Sequence, residues 1–184
     1  MLISLQYLKL HDNRMEFDEQ IAPGVIDLGG EATQVAPLAA SGRATLIPEH
    51  DGRGGVLNDI RVVGKLATNL EIPCARCLDA VPYKMDRTFE LLFRPQSVNT
   101  GPDEAEMQDK DAEIAFYQGN GVELEDILRE QVLLAVPIKT VCRDACKGLC
   151  PQCGKNLNTG ECQCEPAFGD PRWDALKNLR GKLK

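Results

Sequence analysis

The sequence predicts an α+β protein: a mainly antiparallel β N-terminal domain, a few helices, and a small cysteine-rich, zinc-ribbon-like C-terminal module. Three observations carry this. The first hundred residues are short alternating segments parted by turn formers, and after Gly121 the apolar spacing becomes that of a helix. The eight cysteines all stand in close groups, six of them in the last third of the chain.

In chain order, Leu2 to Leu8 alternates imperfectly and reads as a strand. Breakers at Pro23-Gly24, Gly29-Gly30, Pro37, Pro48 and Gly52 to Gly55 leave segments too short for helices. The last of these lacks the G-K-[ST] ending of a phosphate loop and reads as a turn. Asn58 to Ile72 is rich in β-branched residues and alternates around Leu66, Thr68 and Leu70, with Gly64 expected at a bulge or kink. Val81 to Phe93 is a second long strand. Pro73-Cys74-Ala75-Arg76-Cys77-Leu78 between them places a C-x-x-C at the tip of a β-hairpin, completing a domain over residues 1–96.

Residues 97–120 are polar and acidic, which predicts a mobile linker, because little apolar surface is available to offset the entropy of ordering. Residues 121–184 then hold a helix, the cysteine-rich module and a second helix. Leu124, Ile127, Leu128, Val132, Leu134 and Ala135 have helical spacing; Glu123, Glu125 and Asp126 suit a helix N-terminus, and Pro137 ends the run. Asp170-Pro171 followed by Trp173, Leu176, Leu179 and Leu183 predicts the second helix.

At 184 residues with 5% aromatics, the core is modest and metal staples would support it. The net charge of −7 divides as −3 over residues 1–102, −8 over 103–136 and +4 over 137–184. Bound thiolates would largely cancel that basic excess, so charge alone does not mark a nucleic-acid binder. The N-terminus does not read as a signal peptide, and nothing approaches the roughly 20 apolar residues of a membrane helix. The expectation is a cytoplasmic protein with no membrane partner, whose clustered cysteines mean metal or redox chemistry rather than disulfides.

Eight thiolates make two sets of four, the ligand number of a closed zinc site, so two Zn²⁺ are expected. Cys150-Pro151-Gln152-Cys153-Gly154 suits a metal knuckle: proline fixes φ early, and glycine accepts positive φ after the second cysteine. Its nearest completion is Cys162 and Cys164, leaving Cys74, Cys77, Cys142 and Cys146 for the other site. This partition demands less of the fold than joining Cys74 and Cys77 to Cys150 and Cys153, which stays open as the alternative. A thioredoxin-like use of Cys74 and Cys77 would need a helix start. Iron–sulfur ligation is disfavoured by the spacing. His11 and His50 belong to no catalytic pattern and read as exposed loop residues; the chain reads as a non-enzyme.

The ordered set of Cys74-Ala75-Arg76-Cys77-Leu78, Leu134-Ala135-Val136-Pro137, Cys146-Lys147-Gly148-Leu149-Cys150-Pro151-Gln152-Cys153-Gly154-Lys155-Asn156-Leu157-Asn158 and Asp170-Pro171-Arg172 resembles the bacterial YceD family. The likeness spans roughly residues 60–184. It implies a role in synthesis, processing or accumulation of large-subunit 23S rRNA, hence in assembly of the large ribosomal subunit, without catalysis. It also implies that the tail site is an accessory that varies among relatives and the hairpin site the more general one. The partners expected are large-subunit rRNA or a pre-ribosomal particle, or a ribosomal protein. Arg76, Arg143, Lys147 and Lys155, beside the expected knuckles, are candidates for phosphate contact. In a rival reading the acidic 103–113 segment makes the chain a protein-binding adaptor that does not touch RNA.

Overall fold

A computed structural model describes residues 1–50, 55–96 and 114–164. Most of the Gly52 to Gly55 turn, the acidic stretch 97–113 and the helix expected from Asp170 lie outside the described residues.

The elements run β1 (Leu2–Ser4), α1 (Leu5–Leu10), β2 (Arg14–Ile21), β3 (Thr33–Gln34), β4 (Leu38–His50), β5 (Val56–Pro73), β6 (Ala80–Pro95), β7 (Ile114–Tyr117), β8 (Gly121–Glu123) and α2 (Leu124–Ala135). The main sheet has the order β2-β4-β5-β6-β7, with β3 also paired to β5. Its first four strands are antiparallel neighbours, and β7 runs parallel to β6. The mainly antiparallel β character expected of the first hundred residues is therefore present.

Along β5 the predicted alternation is realised. Ile60, Val62, Leu66, Thr68, Leu70 and Ile72 are buried, while Arg61, Val63, Lys65, Asn69 and Glu71 are exposed. Ile60, Val62, Leu66, Leu70 and Ile72 join Phe17, Leu38, Ala44, Met85 and Phe89 from other strands, and Leu124, Ile127, Leu128 and Val132 from α2, in one apolar cluster. Helix α2 ends at Ala135, ahead of Pro137.

Three details depart from the sequence reading. Leu2 to Leu8 is not one strand: after β1 pairs with β8, Ser4 caps α1 by accepting the Tyr7 N–H, and helical geometry buries Leu8 completely. Gly64 is neither bulge nor kink, because pairing passes through it without a slip to both neighbours. A Cβ there would stand 2.8 Å from the Phe89 ring, so close approach of that ring is what requires glycine. Within 97–120, Ile114–Tyr117 is strand β7, anchored by the Tyr117 hydroxyl donating to the Asn58 carbonyl at 2.7 Å. Beyond it, Asn120 accepts the Leu5 N–H at 2.7 Å.

Candidate metal centres

Strands β5 and β6 pair through Pro73 and Ala80, so the C-x-x-C is carried on a short hairpin tip at the end of the longest strands. Within that tip Cys74 N–H donates to the Asp79 carbonyl, and Leu78 N–H to the Cys74 carbonyl, both at 2.9 Å. Leu78 takes φ 64°, a left-handed conformation that closes the turn on a non-glycine residue.

The chain leaving α2 is sewn onto this tip. Ala75 N–H donates to the Thr140 carbonyl at 2.8 Å, and Cys142 N–H points at Cys74 Sγ at 3.4 Å. The Arg76 guanidinium donates to the carbonyls of Asp144 and Cys146 at 2.9 and 3.0 Å, while the Arg76 carbonyl accepts Leu149 N–H at 3.0 Å. Gly148, at φ 77°, passes so near that a Cβ would lie 3.0 Å from the Arg76 carbonyl oxygen.

These contacts gather Cys74, Cys77, Cys142 and Cys146 into one group and leave Cys150, Cys153, Cys162 and Cys164 in another, and each group could hold a metal ion. All four sulfurs of a group lie within 4.8 Å of one another. Cys74 to Cys146 is 3.9 Å and Cys77 to Cys142 is 3.7 Å. A tetrahedron with metal–sulfur bonds of about 2.3 Å has an edge of about 3.8 Å, so these spacings fit a tetrathiolate site. They are far beyond the roughly 2.05 Å of a disulfide. The grouping is the local partition, not the one that joins Cys74 and Cys77 to Cys150 and Cys153.

The thiols are electrostatically uneven. The Arg76 N–H, aided by that of Cys142, outweighs burial and lowers Cys74 to about 6. Asn158 lowers Cys146, and backbone N–H groups of Cys153 and Gln152 lower Cys150 to about 6. Although the Asp79 N–H favours its thiolate, burial, the Asp79 carboxylate and neighbouring cysteines push Cys77 up. Burial and Cys146 raise Cys142, while Cys153 and burial push Cys164 up to about 12. Each group thus forms some thiolate readily and resists complete ionisation, as close like charges must. A divalent cation among the sulfurs would remove that resistance.

The tail group is built on a compact turn. Cys150 N–H donates to the Lys155 carbonyl at 2.8 Å and Gly154 N–H to the Cys150 carbonyl at 2.9 Å, with Gly154 at φ 70°. Leu149 and Asn156 form an isolated antiparallel bridge, and Leu157 N–H donates to Gly148.

Of the candidate phosphate contacts, Arg76 holds the Cys142 to Cys146 segment as described. Arg143 donates to Asn158 Oδ1 at 3.0 Å, and Lys155 donates through Nζ to the Glu161 carbonyl at 2.7 Å. Lys147 is exposed, with no side-chain partner among the described residues. Asp79, Asn156 and Asn158 were not singled out as site residues by sequence. Each reads locally as a turn former; Asn156 reaches Asp79 across 77 residues and Asn158 reaches Cys146 across 12, whereas Asp79 lies two residues from Cys77.

No described helix is long and apolar enough to cross a membrane. No solved structure matches the chain. An uncharacterised protein of Mycobacterium tuberculosis (strain H37Rv) is 33% identical over 131 residues, 68% of this chain and 58% of its own length. The large ribosomal RNA subunit accumulation protein YCED homolog 1, chloroplastic, of Arabidopsis thaliana is 28% identical over 146 residues, 68% of this chain and 46% of its own length. Its Zea mays namesake is 28% identical over 148 residues, 68% of this chain and 49% of its own length. The chain thus spans about half the length of the curated relatives it matches. The model of the family described as large ribosomal RNA subunit accumulation protein YceD matches residues 62–180, a stretch that takes in the hairpin, α2 and both cysteine groups. The chain belongs to the YceD family.

Proposed function

We propose that the chain is a non-enzymatic factor in large ribosomal subunit biogenesis that supports synthesis, processing or accumulation of 23S rRNA in the cytoplasm. Two Zn²⁺ ions, one per cysteine group, would shape the surface that meets pre-ribosomal RNA. The observation that carries this reading is the span of the family match: it covers all eight cysteines in a family named for accumulation of this RNA. Closed four-thiolate sites leave no open metal position, which fits an architectural use of the metal. Zinc rather than a hard cation follows from the all-sulfur donor set.

In this proposal the domain over 1–96 presents the knuckle at 73–78, and the ribbon-like module within 121–184 docks beside it. Arg76, Arg143, Lys147 and Lys155 supply the phosphate contacts. All four are exposed and stand within two residues in sequence of a cysteine of one group, where metal-tied turns would hold them without a large ordering cost.

The test is complementation of a bacterium lacking its own family member. Wild-type protein is expected to restore 23S rRNA and large-subunit levels, and Cys74→Ser/Cys77→Ser to fail. Charge reversal at the four basic positions should weaken binding of purified protein to precursor rRNA, and wild-type binding should fall steeply with salt. Restoration by the charge-reversed protein, with salt-insensitive association, would overturn RNA contact in favour of a protein-binding adaptor.

A further inference from the structure

The turn that closes the tail group also reaches the hairpin group. Asn158 lies between Cys153 and Cys162, yet its Nδ2 donates to Cys146 Sγ at 3.3 Å. Its Oδ1 accepts the Lys147 N–H at 2.9 Å and the Arg143 guanidinium at 3.0 Å, so one amide grips the segment that bears Cys146 from three sides. Asn156, two residues earlier, donates through Nδ2 to both Asp79 carboxylate oxygens at 3.1 Å. Asp79 Oδ2 in turn lies 3.2 Å from Cys77 Sγ. The two asparagines are locked together, Asn156 Oδ1 accepting both the N–H and the Nδ2 of Asn158 at 3.0 and 2.9 Å.

We propose that Asn158, and Asn156 through Asp79, are positioning residues for the hairpin metal site, so that metal at Cys150, Cys153, Cys162 and Cys164 strengthens metal binding at Cys74, Cys77, Cys142 and Cys146. This rests on the reading that both groups hold zinc.

An N–H···S bond takes up part of the charge that four thiolates concentrate around one ion, and it fixes the direction of the sulfur. A carboxylate 3.2 Å from a thiolate does the opposite unless its charge is drawn elsewhere. The Asn156 amide occupies both of its oxygens. Both asparagines belong to the residues that metal at the tail group closes into a loop, so loading that group limits how far they stray. Linkage then requires metal at the hairpin to strengthen the tail site by the same factor.

The experiment uses the full-length apo protein, with Zn²⁺ titrated against a chromophoric chelator and Co²⁺ as spectroscopic probe. Site affinities are assigned with Cys74→Ser/Cys77→Ser and Cys150→Ser/Cys153→Ser. Asn158→Ala is expected to lower Zn²⁺ affinity of the hairpin group about tenfold. Cys150→Ser/Cys153→Ser should lower it similarly, and adding Asn158→Ala to that variant should lower it little further, because both changes break the same link. The sulfur-to-cobalt charge-transfer band of the hairpin site should shift in Asn158→Ala, a change that loss of loop packing alone would not produce. If the double-cysteine variant fails to fold, affinity and spectrum of Asn158→Ala decide. Two zinc ions with hairpin affinity within twofold of wild type in Asn158→Ala, or additive losses in the combined variant, would overturn the coupling alone. A wild-type content below two zinc overturns the two-metal reading and the coupling with it.

Discussion

Gly42 and Gly64 are paired across β4 and β5, and Phe17 and Phe89 flank them on β2 and β6, giving a four-strand rung that reads Phe-Gly-Gly-Phe. A Cβ on Gly42 would lie 2.3 Å from the Val63 carbonyl oxygen and 2.7 Å from Phe17 Cζ; on Gly64, the nearest atom would be Phe89 Cζ. The Phe17 and Phe89 rings occupy the space that side chains at Gly42 and Gly64 would otherwise fill.

Gly64→Ala should therefore cost about 1–3 kcal/mol, the range for overpacking a closed core. Gly42→Ala should cost at least as much, since backbone as well as a ring must move. Urea midpoints at constant m-value measure both. The loss at Gly64 should shrink in a Phe89→Leu background, and an undiminished loss there would show that the ring is not the obstacle.

Asp59 is 1% exposed, and the Arg94 guanidinium meets it through Nη2 at 2.7 Å and through Nε at 3.2 Å. Arg94→Met strands a buried carboxylate and should cost about 3 kcal/mol or more. Asp59→Asn should cost less, because Arg94 keeps Glu49 at 3.4 Å and some access to water. Denaturant unfolding of the two variants gives the order, and the reverse order would count against this view of the pair.

Burial first, and then the Asp59 charge, raise the Tyr117 pKa above that of a free tyrosine. Below the unfolded value of about 10 both states are neutral and the shift contributes nothing; as pH rises past it the unfolded chain loses its proton first, so stability falls. Tyr117→Phe should lose about 1 kcal/mol at neutral pH with the hydroxyl bond to Asn58. It should also flatten the alkaline loss. Unfolding midpoints at pH 8 and above pH 10 check both effects.

Cys74, Cys77 and Cys146 are buried, whereas Cys153 is exposed and Cys162 and Cys164 half-exposed. Under limiting chelator and maleimide, alkylation read by mass spectrometry should reach Cys153, Cys162 and Cys164 before Cys74 and Cys77. Within the hairpin group, exposed Cys142 should react first. Equal rates across both groups would mean that burial does not govern access to the thiols.

Much of the site was legible before any fold was known. Cys74 and Cys77 had to sit on a turn, because β-patterned runs flank them on both sides. Leu124 to Ala135 had to be helical from its spacing. Leu2 to Leu8 was misleading, because a short alternating run says little until a cap such as Ser4 finds its helix. Gly64 carried a signal for an unusual backbone, but its need for glycine comes from a ring on the next strand. Ile114–Tyr117 was hidden in acidic surroundings, since its partner on β6 comes from a strand that ends before the acidic stretch begins.

By itself the sequence determined the turn chemistry of the cysteine pairs, the alternating strands, helix α2 and, through ordered motifs, the family. Tertiary structure alone decided that Cys142 and Cys146 close on the hairpin while Cys150 and Cys153 close on Cys162 and Cys164, and that Asn158 serves Cys146. Periodicity and turn residues act over a few neighbours, so they are written locally. Which sulfurs meet depends on strand register and on where α2 delivers the chain, and these are set by burial across the whole core.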